Sequence, residues 1–376
     1  MPVPLYAVPK EKYRRPPRIR RKGVWIYALA ALLLSVGLTV AARVSPAFAE
    51  WHATTVYPVW VSALGRISSA APFSIFECLI AALIGYGLIG LALLIIHLVR
   101  RRGSRRKTLV DALRRVTAIA MTALLLFTVN GGINYHRKPF SELSGISVRG
   151  VSRDDLVQLC ALLRDRLVTY SASVTIGDSG CSTLTSDVRE TAVDAMHTLG
   201  KTYPALAGYY PQPKPVQCSI VMSYNNITGI YSPFTIEANY NRLIPSYNIP
   251  LTVCHELSHL RGFMREDEAN FIAYLACEAS DAPDFRYSGT MLAFLYASNA
   301  LAGADGAAYS KLMQSLPSVV LQDFRANNAY WQQFATPIAD ISDKINDGYL
   351  KANDQTDGVQ SYGRMVDLLV AYELPE

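Results

Sequence analysis

Three long apolar segments lie in the first third of the chain. They run from 24 to 42, from 72 to 99 and from 116 to 135, and each is long enough to cross a bilayer as a helix. The first and third contain no charged residue, and the second is interrupted only by Glu77 near its start and His97 near its end. The pattern predicts a membrane protein with three N-terminal transmembrane helices.

Lys and Arg flank these segments unevenly. Residues 10–22 contain eight of them and residues 100–107 contain six, whereas residues 43–71 contain only two. Loops rich in Lys and Arg stay in the cytoplasm, so the N-terminus is expected inside and the C-terminal domain outside a cell (plasma) membrane that the chain crosses several times. The segments expected in chain order are a basic cytoplasmic tail at 1–23, a first transmembrane helix at 24–42, an exterior loop at 43–71, a second helix at 72–99, a basic cytoplasmic loop at 100–115, a third helix at 116–135 and an exterior domain at 136–376.

The net charge divides at the same place. Residues 1–135 carry 18 Lys and Arg against 4 Asp and Glu, whereas residues 136–376 carry 18 against 26. The overall charge of +6 therefore combines +14 in the first part with −8 in the second. Because the basic runs lie where anionic lipid head groups would meet them, the lipid bilayer is the predicted partner, and no nucleic-acid partner is expected.

A secretory signal peptide is an alternative interpretation of the first apolar segment. A basic stretch precedes it, and Ala47-Phe48-Ala49 fits a cleavage site with small residues. Cleavage there would still leave the second and third segments as anchors, so the position of the exterior domain would not change.

The exterior part contains the segment 254–268, which reads CHELSHLRGFMREDE. His255 and His259 are four residues apart, so on a helix both imidazoles lie on one face and can reach a single ion. Glu256 lies beside the first histidine and is left out of the ligand set. This is the H-E-x-x-H arrangement of zinc peptidases, in which two imidazoles hold Zn²⁺ and the carboxylate takes a proton from the attacking water.

A catalytic zinc site needs a third protein ligand, and two carboxylates follow a predicted helix break at Gly262. Glu266 is preferred, because Asn270 comes one turn after it and could brace a ligating histidine. Glu268 is the alternative ligand. Both glutamates also suit the acidic first turn of a following helix, which the helix dipole favours.

H-E-x-x-H followed by E-x-x-A-N resembles the gluzincin metallopeptidases. The chain looks especially like an uncharacterised bacterial family of membrane-anchored proteins, a domain of unknown function in which G-x-Y-x-P-F-T precedes H-E-x-x-H and E-D-E-A-N-F follows it. Here these pieces are 229–235, 255–259 and 266–271. Only six residues separate His259 from Glu266, fewer than in the better-known gluzincins, so the choice between Glu266 and Glu268 stays open.

The exterior domain is predicted to be α+β and zincin-like, mostly helical with a small sheet. Ser152 and Asp155 form a capping box for a helix to about Tyr170. Further helices are expected at 186–202, from 250 onward, and at 291–301, 307–316 and 365–372, and β-structure at 216–223 and 229–239. In gluzincin-like folds an edge strand beside the metal helix holds the substrate, so 235–240, with Glu237, Ala238 and Asn239, is the candidate substrate-binding strand. An ordinary strand with an aromatic packing stripe is the alternative.

These patterns predict a zinc-dependent peptidase that acts on a peptide or protein substrate outside the cytoplasm. Glu256 would carry the proton, and His255, His259 and Glu266 would hold the metal. A group that stabilises the oxyanion is not identified by spacing; the available residues are Tyr231, Tyr240, Tyr362 and Arg364. The alternatives are a catalytically inactive metal-binding sensor or binding module of the cell envelope, and an accidental H-E-x-x-H in a protein without a metal.

Overall fold

The structure, a computed structural model, describes residues 21–100, 104–353, 355 and 364–375. Helices dominate this part of the chain, and two small β-sheets lie in its C-terminal portion. Long apolar helices near the N-terminus followed by a mostly helical region with small sheets match the predicted architecture at this level. Most of the predicted basic tail lies outside the described residues.

The N-terminal region consists of long helices joined by a helical connection. Its helices are α1 (Arg21–Val44), α2 (Pro46–Trp51), α3 (Tyr57–Ser69), α4 (Ile75–Arg100) and α5 (Arg105–Asn130). Among the described residues, three stretches are long and apolar enough to span a membrane, namely Gly23–Val44, Ile75–Arg100 and Arg105–Asn130. The helix α4 has no buried residue, although it contacts α5, so most of its apolar surface is uncovered.

The third apolar helix has different bounds from those predicted. It begins at Arg105 instead of Val116, because Lys and Arg are good helix formers and extend the helix into the basic segment. It ends at Asn130, before Gly131 and Gly132. The short 3₁₀ helix Gly132–His136 that follows is largely buried, so the end of the predicted span belongs to the folded domain.

The segment predicted as an exterior loop at 43–71 is helical and forms part of the core. A π-helical turn, His52–Val56, joins α2 to α3. Tyr57 is fully buried, and its hydroxyl hydrogen-bonds the Tyr231 hydroxyl at 2.8 Å and donates to the Leu260 carbonyl at 3.0 Å. Arg137 forms an ion pair with Glu50 at 2.7 Å. The folded domain predicted to begin at 136 therefore includes residues well before that position.

The remaining elements build that domain. In chain order they are α6 (Phe140–Ser144), α7 (Arg153–Ser171), β1 (Thr175–Ile176), β2 (Ser182–Thr183), α8 (Val188–Thr202), β3 (Lys214–Val216), α9 (Ser219–Tyr224), β4 (Gly229–Ser232), β5 (Glu237–Asn241), α10 (Asn248–Leu260), α11 (Glu266–Ala279), α12 (Pro283–Ala304), α13 (Gly306–Gln314), α14 (Ser318–Gln332), α15 (Pro337–Ala352) and α16 (Met365–Glu373). The helices α7 and α8 and the late helices lie close to their predicted positions. The capping box of Ser152 and Asp155 at the start of α7 is confirmed.

The predicted strand at 216–223 is wrong beyond its first residue. The strand β3 ends at Val216, and residues 219–224 form the helix α9. Glu77, at the start of α4, accepts hydrogen bonds from the backbone N–H groups of Gln217 and Cys218 at 2.9 and 2.7 Å. This contact between residues 140 positions apart satisfies amides at the start of α9, and local sequence patterns do not reveal it.

The larger sheet has the strand order β3-β5-β4. The strand β5 is central, parallel to β3 and antiparallel to β4. The helix α10 packs beside this sheet and against α11, α12 and α8, and nearly all of its residues are buried. The sheet and the surrounding helices therefore fix α10 from several sides.

Candidate metal centre

The two motif histidines face the same point from one side of α10. Their ring centroids are 4.5 Å apart, with the ring planes at 87°. Glu266, the first residue of α11, lies 3.2 Å from Nε2 of His255 and 3.7 Å from Nε2 of His259. One ligand atom from each of these residues falls within 4.8 Å of the others. We call His255, His259 and Glu266 the His–His–Glu cluster.

A tight turn brings Glu266 to the histidines despite the short spacing. The helix α10 ends at Leu260, and Gly262 has a φ of +91°, in the left-handed region that favours glycine. The predicted helix break at Gly262 is thus confirmed. The chain then reverses, and the first turn of α11 lies against the last turn of α10.

The outward ring nitrogens of both histidines are held by hydrogen bonds. Nδ1 of His255 lies 2.8 Å from Oδ1 of Asn270, the contact expected from the sequence. Nδ1 of His259 lies 2.8 Å from the carbonyl oxygen of Phe263. A carbonyl only accepts, so Nδ1 carries the proton, and the Nε2 atoms are directed towards Glu266. Such bonds orient metal-ligating histidines in proteins.

Glu268 has a different environment. Its carboxylate accepts hydrogen bonds from the Phe140 backbone N–H at 2.9 Å and from Arg265 Nη1 at 3.1 Å. It is buried, but it is not part of the His–His–Glu cluster. The structure therefore brings the preferred residue, Glu266, to the histidines and holds the alternative elsewhere.

Glu256 is buried between α10 and the strand β4. A Cβ atom added to Gly229 would lie 2.5 Å from Oε1 of Glu256, so only glycine allows the strand to pass this close. The backbone N–H of Tyr231 donates to the same carboxylate. Burial raises the pKa of Glu256 above its ordinary value, although the nearby histidines oppose the shift. This contact explains the glycine that begins the G-x-Y-x-P-F-T segment.

The cluster is electrostatically coupled. Burial alone would lower the pKa of His259, but the charge of Glu266, its hydrogen bond, the charge of Glu256 and the Phe263 carbonyl together outweigh burial and raise that pKa to about 9. Burial alone would raise the pKa of Glu266, but His259 and hydrogen bonds to both histidines lower it well below its ordinary value. Buried imidazoles and a carboxylate stabilise each other here by opposite charge, and a divalent cation would draw on the same attraction.

The predicted substrate-binding strand is wrong. Glu237, Ala238 and Asn239 lie in β5, which is hydrogen-bonded to a strand on each side, and all three are buried. Among the described residues, the edge strand of this sheet nearest Glu256 is β4 instead, with Gly229 and Ile230 partly buried and Tyr231 and Ser232 buried. The sequence predicted one continuous β-segment at 229–239, whereas the structure divides it between β4 and β5. The central position of β5 depends on its parallel pairing with β3, which the sequence did not indicate.

Glu237 has a structural role. Its carboxylate accepts a hydrogen bond from Lys214 Nζ at 2.6 Å and from the backbone N–H groups of Ile75 and Phe76 at 3.1 and 2.7 Å. Lys214 also donates to the Ser68 carbonyl at 2.6 Å. The buried pair thus fastens the start of α4 to the central strand of the sheet.

Of the residues available to stabilise an oxyanion, those that the structure describes contact other groups. The Tyr231 hydroxyl is paired with that of Tyr57, Tyr240 lies near Arg189, and Arg364 is 3.7 Å from Asp267. Tyr362 lies outside the described residues. None of these positions supports a choice made from the sequence.

Two tyrosines that the sequence did not indicate interact electrostatically with Glu266. The Tyr296 hydroxyl is 3.5 Å from Nδ2 of Asn270, and the Tyr349 hydroxyl hydrogen-bonds that of Tyr135 at 2.8 Å. Burial and the charge of Glu266 raise the pKa of both tyrosines, so both hydroxyls keep their protons. Each is more than 25 residues from the cluster in sequence, and no local motif marks it.

The cluster lies close to the C-terminal end of α5. Asn130, the last residue of that helix, donates through Nδ2 to the Pro233 carbonyl at 2.9 Å, next to β4. The Phe127 ring contacts the Tyr349 ring in an edge geometry, with centroids 6.0 Å apart. The same end of α5 thus contacts both the hairpin beside Glu256 and a tyrosine that interacts with Glu266.

A protein family matches most of the chain. The family described as "Protein of unknown function (DUF3810)" matches residues 52–370, a range that includes two of the three apolar helices and the whole His–His–Glu cluster. No curated protein and no solved structure matches the chain. The match begins inside the helical connection between α2 and α3, in agreement with the burial of Tyr57 in the domain.

Proposed function

The chain belongs to DUF3810, a family of unknown function, and we propose that it is a membrane-anchored zinc-dependent metallopeptidase that hydrolyses peptide bonds on the extracytoplasmic side. One observation carries this proposal. The Nε2 atoms of His255 and His259 and the carboxylate of Glu266 converge on one point, while Glu256 lies beside them and accepts a hydrogen bond from the Tyr231 backbone N–H.

The donor set fits Zn²⁺. Two imidazoles and one carboxylate match the ligands of catalytic zinc sites, which leave a position for water or substrate. Asn270 and the Phe263 carbonyl fix the orientation of the rings, as partners of zinc-bound histidines commonly do. Bound zinc would polarise a scissile carbonyl and lower the pKa of the attacking water.

Glu256 is the proposed general base and acid. Its buried position raises its carboxyl pKa towards the range in which a group can both accept and return a proton near neutral pH. The Tyr231 backbone N–H and the close approach of Gly229 hold the carboxylate in place. In the proposed reaction it accepts a proton from the attacking water and donates it to the leaving amine.

The strand β4 is the proposed docking edge for a peptide or protein substrate. An extended peptide can add to an exposed sheet edge through main-chain hydrogen bonds. Because β4 passes directly beside Glu256, a peptide on its outer edge would lie next to the proposed proton carrier. The half-exposed Tyr349 is the proposed donor to negative charge that develops on the carbonyl oxygen.

The proposed location is a cell membrane that the chain crosses three times, with the N-terminus in the cytoplasm. The uneven distribution of Lys and Arg supports this orientation. The uncovered apolar surface of α4 supports insertion in lipid, since exposed apolar surface of that extent is unfavourable in water. The C-terminal end of α5 would then lie at the outer membrane surface, close to the proposed active site.

A Glu256→Gln variant of the full chain in lipid nanodiscs tests this function. We expect bound zinc to remain, because Glu256 is not in the cluster, and cleavage of casein or a mixed peptide library to fall about 10²–10⁴-fold. The matched control is Glu142→Gln, a change on the surface that leaves the cluster intact.

Three results would contradict the proposal. Full activity in Glu256→Gln would remove this residue from the chemistry. Zinc binding by a wild-type protein that cleaves no peptide in the library would instead favour a metal-binding sensor or binding module. Absence of zinc from both proteins after loading would remove the metal site altogether.

A further inference from the structure

The helix α15 has an exposed apolar stripe. Ile338, Ile341 and Ile345 follow helical spacing, and their exposed fractions are 55, 58 and 68%. The side of α15 that contacts the rest of the protein includes Ala339 and Leu350, which are buried. The isoleucines therefore do not belong to the core.

The charged residues of α15 occupy a third face. Asp340, Lys344, Asp347 and Lys351 recur at intervals of three and four residues. At about 100° per residue, their face is centred about 120° from the isoleucine stripe. A helix with separate core, charged and exposed apolar faces is suited to a boundary between water and an apolar phase.

The C-terminal end of α15 touches the outer ends of two apolar helices. Nη2 of Arg43, at the end of α1, donates to the Ala352 carbonyl at 3.1 Å. Tyr349 packs on Phe127 near the end of α5, with ring centroids 6.0 Å apart. The C-terminal end of α15 therefore lies beside the C-terminal ends of the apolar helices α1 and α5.

The middle of α15 is linked through α9 to the start of α4, the second apolar helix. Oγ of Ser342 donates to the Asn225 carbonyl at 2.9 Å, and Asn226 Nδ2 lies 3.2 Å from Asp343. These asparagines follow α9, and the amides at the start of α9 are held by Glu77 in the first turn of α4. The helix α15 thus contacts the ends of α1 and α5 directly and is linked to α4 through α9.

We infer that α15 lies in the outer interface of the bilayer, with Ile338, Ile341 and Ile345 among the lipid acyl chains. The inference rests on the membrane anchoring in the proposed function, but not on the peptidase activity. The apolar stripe continues through Tyr349 to the exposed surface of α5, so the lipid that surrounds α5 can extend under α15. The opposite face keeps Lys344 and its charged neighbours in water.

Spin labels on the full chain in phosphatidylcholine–phosphatidylglycerol nanodiscs test the inference. The label is attached to Ile345→Cys, or to Lys344→Cys as the control on the charged face. In both, Cys78, Cys181 and Cys218, the native cysteines that are not buried, are replaced by Ala. We expect the label at 345 to collide readily with oxygen and several-fold less with a water-soluble nickel chelate than the label at 344.

A label at Leu88→Cys distinguishes failure of the α15 placement from failure of membrane anchoring as a whole. Leu88 lies at the middle of α4 with 63% of its surface exposed, so membrane anchoring predicts strong protection from the nickel chelate there. Protection at 88 together with free nickel access at 345 would overturn only the placement of α15. Free nickel access at both positions would overturn membrane anchoring as well. Loss of both oxygen and nickel collisions at 345 would indicate contact with protein and would also overturn the inference.

Discussion

The C-terminal domain contains two buried groups of charged side chains whose hydrogen bonds are arranged in opposite ways. In the Lys214–Glu237 pair, the ammonium donates to the carboxylate and to the Ser68 carbonyl, and the carboxylate also accepts from two backbone amides of α4. In the His–His–Glu cluster, the hydrogen bonds to Asn270 and Phe263 are on the outward ring nitrogens, and the remaining nitrogens face Glu266. In the Lys214–Glu237 pair, the charged atoms bond to each other and to the backbone, and this joins two parts of the fold. In the His–His–Glu cluster, the two Nε2 atoms and the carboxylate face a common point where a metal could bind.

The difference shows how a binding site can be separated from a structural ion pair. Burial and opposite charge are common to both groups, so neither property identifies a site. The position of the hydrogen bonds identifies a binding site, because a bond to the outward nitrogen of a histidine orients the ring and leaves the other nitrogen available to a metal. Each prediction below changes one carboxylate or amide in these groups.

The largest expected effect is on zinc affinity in Glu266→Gln. Loss of a residue that only supports a ligand typically weakens metal binding about 10–100-fold. Loss of the charged ligand Glu266 itself should weaken zinc binding by more than this. Competition with a chromophoric chelator, using the full chain in nanodiscs, measures it. The matched variant Glu268→Gln should change the zinc affinity only a few-fold, because that carboxylate accepts hydrogen bonds from the Phe140 backbone N–H and from Arg265 and lies outside the cluster. A larger loss in Glu268→Gln than in Glu266→Gln would reverse the ligand assignment.

Glu237→Gln tests the other group. Removal of one partner leaves the Lys214 ammonium buried without its counter-charge, and such changes lower the free energy of unfolding by about 3–5 kcal/mol. We expect thermal unfolding in detergent to shift by the same amount with and without zinc. The exposed Glu142→Gln, which removes a surface pair with Lys138, should cost about 1 kcal/mol or less. A shift that zinc abolishes would mean that Glu237 belongs to the metal site.

The parts of the site that were predictable are those set by local helical geometry. Four residues of spacing place His255 and His259 on one face of any helix, and a glycine after a helix marks its end. Asn270 was expected to brace a histidine because it lies one turn after Glu266, and the contact is present. These relations involve fewer than twenty residues of chain.

The parts that were missed depend on contacts between distant segments. The strand β5 is central because β3 pairs with it, and α9 replaces a predicted strand where Glu77 holds its first amides. Tyr57 lies in a segment that was taken for a connection, yet it is buried against the end of α10. Hydrophobic periodicity indicates which face of a segment is buried but not which other segment packs against it. These contacts therefore could not be predicted from the sequence.

The smallest predicted effect concerns Asn270, which would hold a ligand without being one. Asn270→Ala removes the hydrogen bond to Nδ1 of His255 but none of the three ligand atoms, so zinc affinity should fall about 10–100-fold. Asn270→Asp retains an acceptor oxygen and should restore most of the affinity in the same chelator competition. If Asn270→Ala lowered zinc affinity as much as Glu266→Gln, Asn270 could not be called an orienting residue in contrast to a ligand. If Asn270→Ala left zinc affinity unchanged, the helix alone would orient His255. The intermediate result is expected because the ring of His255 is also confined by its contact with His259, which the substitution leaves in place.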